Sequence, residues 1–254
     1  MSSTDIEPFA LAKSLSNWHL IVHPSDLSYN PPESYLFVQD GLIIACGVLY
    51  AFCYFFYMIR TLKDKYIAGN VEYLCGTMAY ELYYAFTVTS TTFELACFLI
   101  WFAMDLTFAA IAIFAAYPPH ERAPTARRMV AGVLIGLAIF HWLCRMYPDE
   151  REQVTAYWTG ILLQLPIGWG ELILLYRRGD TKGQSLEIWI TRYLGCYTAY
   201  AVFYWRYWNI PQNWTYVGSI WSSIIIIATL LPETIYPFVY YRVHKQQQRK
   251  LKGS

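Results

Sequence analysis

Charge is scarce in this chain. Lys, Arg, Asp and Glu make up 15% of its 254 residues, against about 25% in an ordinary soluble domain. The formal net charge of +1 offers no basic face to a nucleic acid, so no nucleic-acid partner is expected. Several motifs are missing too. There is no D-D-x-x-D or similar acid cluster for magnesium and a diphosphate, since the run "PDEREQ" falls in a loop and its charges partly cancel. No Walker loop and no G-x-G-x-x-G cradles a nucleotide. The stretch 216–241 contains no lysine, which removes a retinal Schiff base. The cysteines, Cys46, Cys53, Cys75, Cys97, Cys144 and Cys196, form no C-x-x-C and read as buried free thiols that pack as small hydrophobes. His19 and His23 share i, i+4 spacing, but Pro24 follows at once and a metal site is not expected. No cofactor is expected either.

What the chain has in abundance is apolar sequence, 56% of all residues. Uninterrupted apolar runs of about 18 residues or more read as transmembrane helices. Seven are found, at 35–59, 67–88, 93–116, 129–147, 153–176, 186–208 and 216–241. The loops after the first, third and fifth carry Arg60, Lys63, Lys65, Arg122, Arg127, Arg128, Arg177, Arg178 and Lys182, and the tail adds Arg242, Lys245, Arg249, Lys250 and Lys252. The opposite side holds only Lys13 and Arg151. Positive loops stay cytoplasmic, so an all-α membrane protein is expected: a seven-transmembrane-helix bundle with its N-terminus lumenal and its C-terminus cytosolic. Residues 1–34 read as a polar, proline-interrupted lumenal leader without a secretory signal, 35–245 as the transmembrane domain and 246–254 as a basic cytosolic tail. A multi-pass protein of the endoplasmic reticulum is expected, with the lipid bilayer as its first partner.

Ionisable residues at membrane depth are costly, roughly 2.5 kcal/mol or more apiece, and usually mark function. Asp40, Glu72, Glu94, Arg145, Glu171 and Arg206 fall near expected helix ends and are read as reaching water or headgroups. Glu81, Asp105 and Glu233 lie deeper, and Arg192 is also within a span. Glu233 sits between Pro232 and Pro237, and prolines free backbone carbonyls in the turn before them. A carboxyl kept neutral at that depth is a proton donor. Aromatic residues reach 19% of the chain. Tyr80 and Tyr84 flank Glu81, and Tyr197 follows Arg192. Tyr117, Trp208 and Trp214 suit a membrane interface, while rings in mid-helix suit a pocket for a cation as well as plain packing.

The stretch "TKGQSLEIWITRYLG", Thr181 to Gly195, taken with "LCGTMAYELYY" and an acid in the last helix, resembles the fungal membrane-bound terpene cyclases of the pyripyropene and paspaline type. The resemblance covers about residues 35–245. It implies a seven-helix enzyme of secondary metabolism, meroterpenoid or terpenoid biosynthesis, that protonates the terminal epoxide (or olefin) of a polyprenyl chain on an aromatic or indole head group and guides ring closure. By this resemblance Glu81 matches one essential acid. Glu233 matches the second, usually aspartate, and is one methylene longer. Asp105 and Arg192 become candidates for support or for the terminal base, and Tyr80, Tyr84, Trp189 and Tyr197 for holding substrate or stabilising a cation. Thr77 and Tyr80 stand where relatives often carry Asn and Trp. The implied partner is a polyprenylated, epoxidised small molecule, and the implied reaction uses neither metal nor cofactor.

A rival reading uses the same region. "LQLP…LLYRRGDTKGQSLEIW" also looks like a PQ-loop repeat of seven-helix transporters, in which intramembrane acids couple protons. A repeat transporter needs a matching second copy, and residues 35–66 offer none. A non-catalytic scaffold explains the spans but not the acids.

Overall fold

The computed structural model describes residues 19–69, 71–148 and 154–252. Lys13, Arg151 and the leader through residue 18 lie outside them. Among the described residues all regular structure is helical. A single turn, Pro24–Leu27, leads into α1 (Glu33–Asp64), and a 3-10 turn, Val71–Tyr73, into α2 (Leu74–Thr87). Then come α3 (Thr92–Ala116), α4 (Pro119–Met146), α5 (Val154–Arg178), α6 (Leu186–Asn209) and α7 (Ile220–Lys252).

Five of these, α1, α3, α4, α5 and α7, are long and apolar enough to cross a membrane. The two that fall short carry Glu81 and Arg192. With its 14 residues, α2 rises about 21 Å, less than a hydrocarbon core of about 30 Å. The length of α6 is sufficient, but Arg192 and Arg206 lower its apolarity. Several expected boundaries move outward. Pro119 opens α4 well before residue 129, since proline at the first helical position costs nothing, so Arg122, Arg127 and Arg128 lie on a helix and not in a loop. The last helix runs past 241 to Lys252 because no breaker follows Pro237.

Six helices close a ring: α1 packs on α6, α6 on α7, α7 on α5, α5 on α2, α2 on α3, and α3 returns to α1. The seventh, α4, stands outside the ring against α2 and α3. Gly136 of α4 sets that approach, since a Cβ there would lie 2.6 Å from the Ala79 Cβ. Close backbone approach over small residues is how helices gain packing energy in lipid.

The two prolines of α7 explain its attachment. Pro232 and Pro237 cannot donate to the carbonyls of Ala228 and Glu233, four residues earlier. Tryptophans from two other helices take those carbonyls: Trp169 Nε1 of α5 donates to Ala228 O at 3.0 Å, and Trp189 Nε1 of α6 to Glu233 O at 2.7 Å.

At the opposite end of the sequence the expected leader is not a free extension. His19 pairs with Asp40 of α1 at 2.8 Å, Leu20 N donates to the same carboxylate, and Gln39 Nε2 donates to Ile21 O. Thr91, the N-cap of α3, donates to Leu20 O at 2.8 Å. Residues 19–21 therefore strap the first turns of α1 to the start of α3. Below them Asp26 accepts from Tyr35 OH, Asn213 Nδ2 and Trp214 Nε1.

The loop between α5 and α6 is held from the other side of the ring. Gly183 adopts φ +74°, and its N–H donates to Asp64 Oδ2 at 2.8 Å. A Cβ there would sit 2.8 Å from the backbone nitrogen of Ala68. Gly183→Ala should cost about 1–3 kcal/mol from overpacking alone, with the left-handed backbone adding strain. Thermal loss of monodisperse protein in detergent measures it, and wild-type resistance would contradict the close approach.

Candidate active site

Inside the ring lies one long cavity of about 640 Å³ lined by α1, α2, α3, α5 and α6. That volume falls within the roughly 300–1,000 Å³ of small-molecule sites. Its wall is aromatic, with Tyr50, Tyr54 and Tyr57 of α1 facing Trp101 and Phe108 of α3. Trp101 stacks with Tyr54, and Phe108 with Tyr57. Few polar side chains interrupt this wall; besides Glu94, which is held by Ser90, the acidic ones belong to two clusters.

The first cluster is a pair of carboxyls. Glu81, midway along α2, lines the cavity beside Asp105 of α3, which is 0% exposed. Asp105 Oδ2 accepts from Thr77 Oγ1 at 2.5 Å, while Asp105 Oδ1 and Glu81 Oε2 are buried without a hydrogen-bond partner among the described residues.

The second cluster is an ion triad around Arg192, which is 2% exposed. Its guanidinium grips Glu233 in a fork, Nε to Oε1 at 2.8 Å and Nη2 to Oε2 at 3.0 Å. The remaining arm, Nη1, donates to Glu171 Oε2 at 2.5 Å and to the Tyr57 hydroxyl, which itself donates to Glu171. Arg192, Glu171 and Tyr57 line the cavity, whereas no α7 residue does, so Glu233 holds Arg192 from behind. Gly168 of α5 makes room for it, since a Cβ there would come within 3.2 Å of Glu233 Oε1.

The structure thus separates the two acids that the sequence singles out: Glu81 is paired with Asp105, and Glu233 with Arg192. Tyr80 lines the cavity beside Glu81, with Gly160 of α5 against its hydroxyl. Tyr84 is fully buried on the other side of α2 against Phe140 of α4. Trp189 serves the α7 backbone and stacks between Tyr193 and Tyr236. Tyr197 stands half-exposed, edge-on to Tyr193. None of these last three lines the cavity.

The expectation that Asp40, Glu94, Glu171 and Arg206 reach water is overturned, because all four are buried. Each has found partners. Asp40 holds His19, Glu94 accepts from Ser90 N–H at 2.7 Å, and Arg206 donates to Gln39 while its guanidinium lies 4.7 Å from the Trp214 ring. Glu72 and Arg145 do stay at least partly exposed. A signal for Glu171 was present in the chain: Glu171 and Arg192 lie almost equally far from the turn at Gly179–Gly183, and antiparallel neighbours with that spacing sit at equal depth.

The profile of the Pyr4-like transmembrane terpene cyclases matches residues 25–246. The chain belongs to that family. The match takes in the end of the expected leader as well as all seven helices. This cyclase is 29% identical to the Pyr4-family terpene cyclase mfmH of Annulohypoxylon moriforme, over 93% of its own length and 99% of that protein's. Terpene cyclase macJ of Penicillium terrestre is 26% identical over 87% of this chain and 88% of its own. Terpene cyclase penB of Penicillium crustosum is 25% identical over 90% and 96%. No solved structure matches. Family membership sets aside the PQ-loop transporter reading: the region from Thr181 to Gly195 belongs to a terpene cyclase.

Proposed function

We propose that this cyclase opens the terminal epoxide of a polyprenyl chain, carried on an aromatic or indole head group, by proton transfer from Glu81, and then folds the chain into fused rings. The observation that carries the reading is the carboxyl pair. Glu81 faces an aromatic-walled cavity while Asp105, held by Thr77, sits behind it. As the epoxide C–O bond breaks, its oxygen takes the Glu81 proton, and general acids of this kind contribute about 10²–10⁴-fold. The carbon left cationic is attacked by the next double bond, and each closure passes the charge along the chain. Tyr50, Tyr54 and Trp101 offer ring faces to that charge and keep out water that would quench it. A C–H bond next to the last cation finally loses its proton to the Glu81–Asp105 pair, which restores it. One proton enters and one leaves, so product and substrate are isomers, and the chain's own carboxyls suffice.

Glu233 has a different part in this scheme. A lone guanidinium lining the cavity would repel a passing carbocation. With Glu171 and Glu233 both on Arg192, the triad instead presents excess negative charge to the cavity. The family's transmembrane character supports seven spans in all, with α2 and α6 crossing as members of the ring. The basic residues of the loops and tail support a lumenal N-terminus and a cytosolic C-terminus, in what we take to be the endoplasmic-reticulum membrane.

Microsomes containing the chain, fed a panel of epoxidised farnesyl and geranylgeranyl aromatics, should yield a product of unchanged mass and new retention time from at least one member. Unchanged substrate across the whole panel would overturn the epoxide-opening reading.

A further inference from the structure

The cavity has an acid and a wall but also needs a way in, since a polyprenyl chain dissolved in the bilayer does not approach through water. Of the helix seams that border it, two contrast. Along the α2–α5 seam the helices interlock: a Cβ at Gly76 would lie 2.8 Å from Leu163, one at Gly160 lies 3.1 Å from the Tyr80 hydroxyl, and one at Gly170 lies 3.9 Å from the Tyr73 ring. The α1–α3 seam is different. Its lower part is shut by Trp101, which packs edge-on to Tyr50, stacks on Tyr54, and lies 3.8 Å from where a Gly47 Cβ would be. Above Trp101, Ile44 and Val48 of α1 and Phe93 of α3 line the cavity and yet are 53%, 50% and 39% exposed. On α1, Ile44 and Val48 are one turn apart on the flank of the cavity-facing stripe, so their free surface faces the bilayer. The strap of residues 19–21 crosses above this gap from Asp40 to Thr91, and Ile21 itself lines the cavity. The gap is therefore roofed against the aqueous side and open sideways.

We propose that the gap between α1 and α3, framed by Ile44, Val48 and Phe93 with Trp101 as its floor, is a lateral portal through which a polyprenyl chain passes from the bilayer into the cavity. The occupant rests on the cyclase function proposed above. The opening is continuous with the cavity holding Glu81, and the three side chains that frame it are apolar, as an isoprenoid tail requires. The portal admits the tail and selects against water, so a reactive cation inside stays dry while the way in is never a polar channel.

The test uses full-length protein in proteoliposomes and a diazirine-bearing C15 isoprenoid alcohol as probe, photolysed after mixing and mapped by peptide mass spectrometry. In the wild type the probe should label the α2 segment around Glu81 as well as the rims of α1 and α3. Val48→Trp, and more so Ile44→Trp with Val48→Trp, should cut labelling of the α2 segment at least fivefold. Val48→Ala, which widens the gap, should preserve it and so separate blocking from misfolding. Leu162→Trp places the same bulk on the exposed face of α5, away from the cavity, and should leave labelling unchanged. Equal labelling of α2 in the Trp variants and the wild type would overturn the portal. A wild type that is labelled but forms no isomer from any epoxide would count against the cyclase substrate proposed above and leave the portal standing.

Discussion

Glu81→Gln removes turnover by about 10²–10⁴-fold, the usual contribution of a positioned general acid, while the protein still inserts and folds. The expectation is sharp because of what lies behind the side chain. Asp105 accepts a hydrogen bond from Thr77 and lies beside Glu81. A glutamine at position 81 has the same shape and an amide able to donate to Asp105, so the packing volume hardly changes and no buried charge is stranded. What the amide lacks is a proton it can surrender. The measurement is isomer formed per molecule of properly inserted enzyme, with insertion checked by protease protection of the tail. Turnover within a factor of three of wild type would move the donor away from Glu81. Loss of turnover together with loss of folded protein would mean that Glu81 serves structure.

Arg192→Met strips the guanidinium from between two buried carboxylates, and the expected loss of stability is the largest in the molecule. Removing one partner of a buried ion pair typically costs about 3–5 kcal/mol, because the charge left behind has neither water nor a counter-ion. Here the one removal strands Glu171 and Glu233 together and deprives the Tyr57 hydroxyl of a neighbour. The same principle predicts a rescue. Arg192→Met combined with Glu171→Gln and Glu233→Gln leaves no unpaired charge, and replacing a whole buried ionic group with neutral residues is often nearly neutral. The comparison is the temperature at which half the detergent-solubilised protein remains monodisperse. The single variant should fall well below wild type and the triple variant should recover most of the difference. A triple variant as labile as the single one would show that the triad contributes more than mutual neutralisation. Because Arg192 and Glu171 also line the cavity, the rescued protein is expected to fold and to cyclise poorly, which separates stability from catalysis.

The sequence disclosed the helices through the length of their apolar runs, and Glu81 stood out because nothing nearby in the chain accounts for a carboxylate in mid-helix. Asp105 was visible for the same reason, but its partner was not: Glu81 and Asp105 are brought together by the packing of α2 on α3, and no spacing along the chain encodes that. Glu171 illustrates the opposite failure. Distance from the nearest helix end suggested access to headgroups, whereas the ring places it on Arg192. The prolines of α7 pointed to freed carbonyls, and the structure supplied the donors, Trp169 and Trp189, from helices whose tryptophans look like ordinary packing residues in sequence. The ends of α4 and α7 ran past expectation because basic residues stop an apolar run without stopping a helix.

The rear grip of Glu233 on Arg192 has a consequence for the order in which this protein is made. Chains emerge N-terminus first, so α5 and α6 leave the ribosome before α7. At that moment Arg192 already has Glu171 at matching depth across the turn, one cation for one anion, and the pair can enter the bilayer without net charge. The third member comes with the last helix, which the indoles of Trp169 and Trp189 then fasten by its backbone. The second carboxylate is thus added only after the costly arginine is already inside.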